Sequence, residues 1–282
     1  MKPLRYCMPA MCSLLMLTAS SSFAQGIKMP APSPAQTIKQ DFALSAVEVS
    51  YSRPAMKGRT IMGDLVPFNN KVWRTGANSA TTITFGEDIN FGGKPVKAGK
   101  YGLLTIPGRS EWTVILTKSL DVTSPAAYKP ENDVVRVSVN SVDMPIEVES
   151  FMINFDKVMP SSMTMMLLWD KTMVPVEITA NIDGKITADI DAAMKSDKKP
   201  YFQAAAYYFE TGKDLKKALG WVDAAVKENP KAFYMYHLKA KIQAKAGDKA
   251  GAKATALKSI ELAKEAQNDD YVALNNKLLA TL

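Results

Sequence analysis

The feature that most constrains the fold is a change of hydrophobic periodicity at Asp183 and Gly184. Before this point apolar and polar residues alternate in short runs, such as 135–139 and 174–178, and a period of two is typical of half-buried β-strands. After it, apolar residues recur at intervals of three and four, as in amphipathic helices. No long helical pattern interrupts the strand-like runs, which disfavours parallel βαβ units. The sequence therefore predicts an α+β chain, with an antiparallel β-sandwich-like or barrel-like domain followed by a helical domain.

The strand-like runs are separated by turn-forming residues at the spacing of an all-β domain. The run 163–169 is apolar on both faces, which indicates a central strand. The predicted strands are 47–51, 81–85, 89–91, 101–107, 112–117, 135–139, 151–155, 163–169 and 174–178.

Five helices are predicted in the second part, at about 200–211, 214–228, 232–246, 248–266 and 269–281. Small residues recur there with a period of 34, so that Ala206 returns as Ala240 and Ala218 as Ala252. This pattern resembles the tetratricopeptide repeat, although Ser259 departs from it in the second copy. A plain bundle of alanine-rich helical hairpins is the alternative interpretation.

The N-terminus has the three parts of a secretory leader. Lys2 and Arg5 precede an apolar stretch that includes 14–17, and small residues lead to Ala24. The apolar stretch is shorter than the roughly 20 residues that a spanning helix needs. We therefore predict a signal peptide over residues 1–24, no membrane span, and a periplasmic or secreted protein.

Both cysteines of the chain, Cys7 and Cys12, fall within this leader. The predicted mature protein then contains no thiol, which excludes disulfides, cysteine nucleophiles and cysteine-ligated metals. Its core must be stabilised by packing and hydrogen bonding.

After the leader, residues 25–40 have few apolar side chains and are predicted to form a proline-rich tether. The predicted β domain covers 41–187, and the tetratricopeptide-like helical domain covers 198–282. The tether carries Pro30, Pro32 and Pro34.

The net charge of +7 falls to +5 when Lys2 and Arg5 leave with the leader. This excess is mild. The second half contains no arginine, and its lysines are scattered among acidic residues. Such a distribution is typical of solvated helix faces, so we predict no nucleic-acid partner.

Catalytic and metal-binding equipment is sparse. His237 is the only histidine and lies on a predicted helix, where it is expected to be a surface or groove residue. The predicted mature chain therefore offers no Ser-His-Asp or Cys-His mechanism and no metal site, and we predict no cofactor. The glycine-rich segment 92–100 is followed by a strand, unlike a phosphate-binding loop. Carboxylates are the remaining candidates for catalysis, namely Asp64, Glu87, Asp88, Glu111, Asp133, Glu147 and Glu149.

The densest group of recognition-type side chains lies in the segment 71–85. Trp73 provides an apolar platform, Arg74 a planar fork for carboxylate or phosphate, and Asn78 both donors and acceptors. Two interpretations stay open. The segment binds an anionic or glycan ligand, or it is structural, with Trp73 in the core and Arg74 paired to Asp64 or Glu87. The candidate ligand-binding residues are Arg53, Arg59, Trp73, Arg74 and Asn78.

Several short motifs occur in a fixed order across about residues 35–185. Together they resemble a secreted bacterial family catalogued as domain of unknown function 2911, whose members often carry a repeat-containing helical tail. The resemblance implies a domain boundary but no activity, substrate or cofactor. The motifs are Tyr51-Ser52-Arg53-Pro54, Lys57-Gly58-Arg59, Trp73-Arg74-Thr75-Gly76-Ala77-Asn78, Ala98-Gly99-Lys100-Tyr101, and Ile106-Pro107 with Trp112.

The function that these features favour is a non-enzymatic binding or scaffold protein of the bacterial cell envelope, with a protein or peptide bound by the helical repeats. The alternative is a carboxylate-dependent hydrolase acting on envelope glycan or peptide. A third interpretation treats the β domain as a spacer that presents the helices.

Overall fold

The computed structural model describes residues 29–66, 68 and 70–282. The predicted signal peptide, residues 1–24, and residues 25–28 of the predicted tether lie outside the described residues. Among the described residues, no helix is both long enough and apolar enough to cross a membrane.

The first part of the chain forms two antiparallel sheets. Their strands are β1 (Ala35–Phe42), β2 (Ser45–Ser52), β3 (Thr82–Phe85), β4 (Ile89–Phe91), β5 (Lys94–Val96), β6 (Gly99–Ile106), β7 (Glu111–Thr117), β8 (Asp133–Asn140), β9 (Val142–Asp156) and β10 (Ser162–Thr179). The six-stranded sheet has the order β1-β2-β3-β6-β7-β8, and the four-stranded sheet has the order β5-β4-β10-β9. The prediction of an antiparallel β region before a helical region is confirmed.

The two sheets bury a shared core between them. Val49 and Leu103 of the six-stranded sheet and Phe91, Ile153 and Val176 of the four-stranded sheet belong to one cluster of buried side chains. Each lies on the inward side of an alternating strand, which is how a period of two produces a two-layer core.

The predicted strands 163–169 and 174–178 are parts of one long strand, β10. The pairing of β10 with β9 shifts register around Asp170, whose φ of 54° lies in the left-handed region. This irregularity interrupts the alternation in the sequence, so the pattern indicated two strands where the backbone forms one.

The tether predicted over 25–40 is wrong for residues 35–40, which belong to β1. This strand pairs along its whole length with β2, from Ala35 opposite Ser52 to Phe42 opposite Ser45. Most of its side chains are exposed or half-buried because it is an edge strand. Main-chain pairing needs no apolar side chains, and the prolines all precede the strand, so composition alone concealed it.

Six helices follow: α1 (Asp183–Ala193), α2 (Tyr201–Glu210), α3 (Leu215–Glu228), α4 (Phe233–Lys245), α5 (Lys249–Glu265) and α6 (Asp269–Leu279). The last five agree with the predicted helices to within one or two residues at each end. Helix α1 was not predicted from sequence. Ile190 is its only fully buried residue, so its apolar face is too sparse to give a helical pattern.

Helix α4 contacts both α2 and α6, whereas α3 packs on α2 and α4, and α5 packs on α4 and α6. Helices α2, α4 and α6 therefore form one layer, and α3 and α5 form the other. Ala218, Ala240, Ala252 and Ala256 are all fully buried in this stack. Their small side chains allow the helix axes to approach closely, as the 34-residue recurrence predicts.

A buried polar network joins α4, α5 and α6. The Asn275 side-chain amide donates to Ser259 Oγ (2.9 Å), and the Ser259 hydroxyl donates to the Phe233 carbonyl (2.7 Å). His237 Nδ1 lies 2.9 Å from Asn275 Oδ1, an acceptor, which makes Nδ1 the protonated nitrogen. His237 is therefore a half-buried structural residue and not simply a surface residue. The network also accounts for Ser259, the departure from the repeat pattern.

We expect the helical region to lose stability as the pH falls below about 6.5, the ordinary pKa of histidine. Burial lowers the pKa of His237, so below that pH the unfolded chain binds a proton more readily than the folded chain. The loss is complete once the pH has passed below the folded-state pKa. Thermal unfolding followed by helical circular dichroism, between about pH 7.5 and about pH 5.5, measures this dependence.

The matched control is His237→Gln, whose amide donates to Asn275 Oδ1 but does not titrate. Its melting temperature should change less over this pH range than that of the unsubstituted chain. Equal changes in the two proteins would show that another group is responsible.

Candidate functional site

Trp73 lies where the two sheets meet. Its main chain pairs with Thr105 of β6, through Trp73 N to Thr105 O (2.7 Å) and Thr105 N to Trp73 O (3.0 Å). Its ring contacts Trp112 of β7 on the same sheet, and Phe151 and Trp169 of the opposite sheet, at centroid distances of 6.2, 5.1 and 5.9 Å. The indole therefore connects the sheets through edge-to-face and stacked contacts.

The loop after Trp73 is held by buried hydrogen bonds. The Thr75 side chain is fully buried and its hydroxyl lies 3.2 Å from that of Thr105, while the Thr81 hydroxyl donates to the Thr75 carbonyl (2.8 Å). Gly76 has a φ of 155°, and a Cβ at this position would lie 3.0 Å from the Ser52 carbonyl oxygen. Glycine is therefore needed here both for its backbone conformation and for the close approach to β2.

Arg74 and Asn78 close this loop on itself and on the N-terminal segment. Arg74 Nη1 donates to the Asn78 carbonyl (2.9 Å), and Asn78 Nδ2 donates to the Ser33 carbonyl (2.9 Å). In the described part of the chain, Arg74 forms no ion pair with Asp64 or Glu87. Its partner is a backbone carbonyl, so the specific pairing considered from sequence is wrong, while the structural role is supported.

Arg53 belongs to a group of hydrogen bonds that connects the segment 51–54 to β9 of the other sheet. Arg53 Nε donates to the Phe151 carbonyl (3.0 Å) in β9, and the Tyr51 hydroxyl accepts from Ile153 N (2.9 Å). Phe151 N in turn donates to the Pro54 carbonyl (2.8 Å). The motif 51–54 thereby satisfies backbone groups along the open edge of β9, which would otherwise be available for pairing with another strand.

Arg59 is exposed and stabilises the turn that follows the segment 51–54. Arg59 Nε donates to the Met56 carbonyl (3.0 Å), and Nη2 donates to the Ala55 carbonyl (2.6 Å). All three candidate arginines thus donate to backbone carbonyls. Arginine, with five donors, is well suited to holding irregular backbone in this way.

Four of the five candidate residues belong to one structural unit. Arg53 N donates to the Pro34 carbonyl, and Asn78 Nδ2 donates to the Ser33 carbonyl. Both residues therefore hold the segment before β1 in place. Trp73 contacts Phe151, whose carbonyl accepts from Arg53. Arg59 lies at the adjacent turn, where its hydrogen bonds go to the Met56 and Ala55 carbonyls.

A shallow pocket of about 140 Å³ lies beside this unit. Trp73 and the partly exposed Arg74 line one side, and Thr123, Ser124 and Pro125 of the β7–β8 connection line the other. Lys71 and Val72 also line it. Its size suits a small anion, and Lys71 and Arg74 are the lining residues whose charge would attract such an ion.

The model of a protein family of unknown function, DUF2911, matches residues 33–178, just over half of the chain. The chain belongs to the DUF2911 family. Searches of curated proteins and of solved structures found no match. The matched segment begins at Ser33, whose carbonyl accepts a hydrogen bond from Asn78, and ends in β10. It contains all five candidate residues. The resemblance noted from the β-region motifs is therefore confirmed, and the helices lie outside the matched residues.

Within the DUF2911 segment, the structure also assembles a cluster that sequence reasoning missed. Asp133 Oδ2 accepts from the Tyr128 hydroxyl (2.5 Å) and from Arg136 Nε (2.6 Å), and Arg136 Nη2 also contacts the Tyr128 hydroxyl. Burial, reinforced by Asp133, raises the pKa of Tyr128 to about 12. Tyr128 thus stays protonated at neutral pH and acts as a donor. No local motif signals this cluster, because Tyr128 lies in the loop before β8.

Outside the DUF2911 segment, aromatic side chains form a row across α2, α4 and α6. Phe202 contacts Tyr234 (5.2 Å between ring centroids), Phe233 contacts Tyr271 (4.9 Å), and Tyr271 contacts His237 (5.5 Å). Phe233 and Tyr234 are also in contact, so the row is continuous. A depression of about 380 Å³ opens beside it, lined by residues that include Phe202 and Tyr234.

Two exposed lysines continue this row along α4. Lys241 and Lys245 follow His237 at intervals of four residues, and both ammonium groups lie 5.0 Å from the ring centroid of Phe209 in α2. Neither forms an ion pair with a carboxylate of the described chain, whereas Lys213, Lys217 and Lys239 each pair with an aspartate. We call Phe202, Phe209, Phe233, Tyr234, His237, Lys241, Lys245 and Tyr271 the aromatic–lysine face.

Trp73→Ala should destabilise the β region by about 2 kcal/mol or more, because a half-buried indole and its contacts with both sheets are lost. Chemical denaturation followed by a signal specific to the β region measures this effect. Trp221→Ala, which removes a partly buried indole from α3, is the matched control and should leave the β-region transition in place. A β-region transition unaffected by Trp73→Ala would contradict the role given to Trp73.

Arg74→Ala should cost about 1 kcal/mol, the value of one hydrogen bond to a carbonyl, and the protein should still fold. If Arg74 serves only the loop, millimolar phosphate should shift the melting temperature equally in the variant and in the unsubstituted chain. A phosphate shift that disappears in Arg74→Ala but persists in Arg59→Ala would instead identify the pocket beside Arg74 as an anion site.

Proposed function

We propose that the protein is an exported, non-enzymatic binding or scaffold protein of the bacterial cell envelope, and that its helical region binds an acidic segment of another protein. The observation that carries this proposal is the aromatic–lysine face on α2, α4 and α6. The leader-like sequence of residues 1–24 supports export to the periplasm or beyond.

A tetratricopeptide-like arrangement of the helices is part of the proposal. Helices α2 and α3 recur 34 residues later as α4 and α5, and the helix-capping aspartates recur with them. Asp214 accepts hydrogen bonds from the backbone N–H groups of Lys216 and Lys217 at the start of α3. Asp248, 34 residues on, accepts one from Gly251 at the start of α5.

The chemistry of the face favours an acidic partner with apolar side chains. Lys241 and Lys245 lie on one side of α4, about one helical turn apart, and have no carboxylate partner in the described chain. Lys245 Nζ also donates to the Phe209 carbonyl (3.3 Å), but no carboxylate of the described chain neutralises either charge, so both can attract carboxylates of a ligand. Tyr234 is exposed, and with Phe202 it offers ring surface to apolar side chains.

The DUF2911 segment is proposed to act as a rigid support. Its candidate arginines are bonded to its own backbone, and four of the seven carboxylates considered for catalysis hold local structure. Asp88 binds Lys97 and Ala98 N, Glu87 binds Leu44 N, Glu149 binds Lys57 N, and Asp133 binds Tyr128 and Arg136. The described residues contain no group of three or more metal-ligating side chains. Because these four carboxylates are bonded to neighbouring groups, the hydrolase alternative has less structural support than the binding function.

Selection from a library of random short peptides tests the proposal. The predicted mature chain, residues 25–282, should enrich peptides that contain Asp and Glu together with apolar residues. Lys241→Glu with Lys245→Glu should weaken binding of the selected peptides by about tenfold or more, because each carboxylate then meets a like charge.

The matched control is Lys253→Glu with Lys264→Glu, which makes the same charge change at exposed positions of α5 in the other layer. This variant should retain the selected peptides. An enriched pool without acidic residues, or equal loss of binding in both double variants, would contradict the acidic-partner proposal.

A further inference from the structure

Helix α6 has an outer face that the rest of the described chain leaves uncovered. It packs against α4 and α5, and Asn275 is its only fully buried residue. Leu274 is 46% exposed and lies in a depression of about 440 Å³ on the helix surface. The depression is lined by Asp270, Ala273, Leu274 and Lys277. Tyr271 of the aromatic–lysine face does not line this depression, although it lies one helical turn before Leu274.

The 34-residue period shows that this exposure is unusual for the stack. Leu274 occupies on α6 the position that Ala206 has on α2 and Ala240 on α4. Ala240 is fully buried within the stack. A large apolar side chain thus stands exposed where the preceding repeat buries a small one.

The charged residues on this face are complementary to those of a second, antiparallel copy of the same face. Asp270 and Lys277 are seven residues apart, two helical turns on the same side, and about 10.5 Å apart along the axis. That separation is too long for an ion pair within the helix, and neither residue forms an ion pair elsewhere in the described chain. The midpoint between them falls at Ala273 and Leu274.

We propose that two copies of the chain associate through this face, with their α6 helices antiparallel about a twofold axis near Ala273 and Leu274. In this arrangement Asp270 of each copy faces Lys277 of the other, so one sequence supplies both ion pairs, as an isologous interface requires. Ala273 permits close approach of the helices, and the two Leu274 side chains bury each other at the axis. Antiparallel packing also places each helix N-terminus beside the other's C-terminus, which is electrostatically favourable.

Sedimentation velocity of residues 25–282 over a concentration series reaching about 0.1 mM should show a monomer–dimer equilibrium. Leu274→Glu should abolish the dimer, because it places two carboxylates at the axis. Leu257→Glu changes an equally exposed leucine on α5 and should leave the dimer intact. Circular dichroism checks that both variants are folded.

Charge exchange distinguishes this interface from any other. Asp270→Lys alone and Lys277→Asp alone should each weaken association by about tenfold or more, because each sets like charges opposite one another at two places. The double variant restores both pairs and should recover the dimer. A monomer at the highest concentration, a dimer insensitive to Leu274→Glu, or a double variant that stays monomeric would overturn the proposal.

Discussion

The β region depends on contacts that cross from one sheet to the other at the end where Trp73 lies. Face-packed sheets are held mainly by non-directional burial, which fixes their separation but not their register. Trp73 pairs its backbone with Thr105 on one sheet and places its ring against Phe151 and Trp169 of the other. Directional hydrogen bonds then reinforce this contact, as Arg53 and Tyr51 bind the backbone of β9. The most recognition-like stretch of the chain is thus where the sandwich is joined.

This arrangement explains why Arg53 and Arg74 donate to backbone carbonyls and not to carboxylates. A carboxylate would satisfy a guanidinium but leave the nearby backbone carbonyls without this donor, which is costly where the residue is buried, as Phe151 is. Arg53 and Arg74 satisfy those carbonyls directly. In the helical region, most backbone N–H and C=O groups are paired by hydrogen bonds within the helices, so fewer side chains are needed to satisfy them. Lys241 and Lys245 of the aromatic–lysine face have no carboxylate partner among the described residues, and binding is proposed there.

Most of the strands and the five later helices follow from local pattern, because burial on one side imposes a period of two on strands and of about 3.6 on helices. The prediction failed where an element buries too few side chains to give a clear hydrophobic period. β1 is an edge strand paired through its backbone, and α1 buries a single residue fully. The candidate residues could be recognised from their types, but the partner of Arg74 could not, since a guanidinium can donate either to a carboxylate or to a backbone carbonyl.

The sequence by itself determined the α+β class, the junction near Asp183 and the 34-residue recurrence of small side chains. These depend on spacing along the chain, which can be read directly. Tertiary structure alone decided that Trp73 lies between the sheets, that Tyr128, Asp133 and Arg136 meet, and that Leu274 remains exposed. Each of these depends on which distant segments pack together. Periodicity shows which side of an element is buried but not what it is buried against.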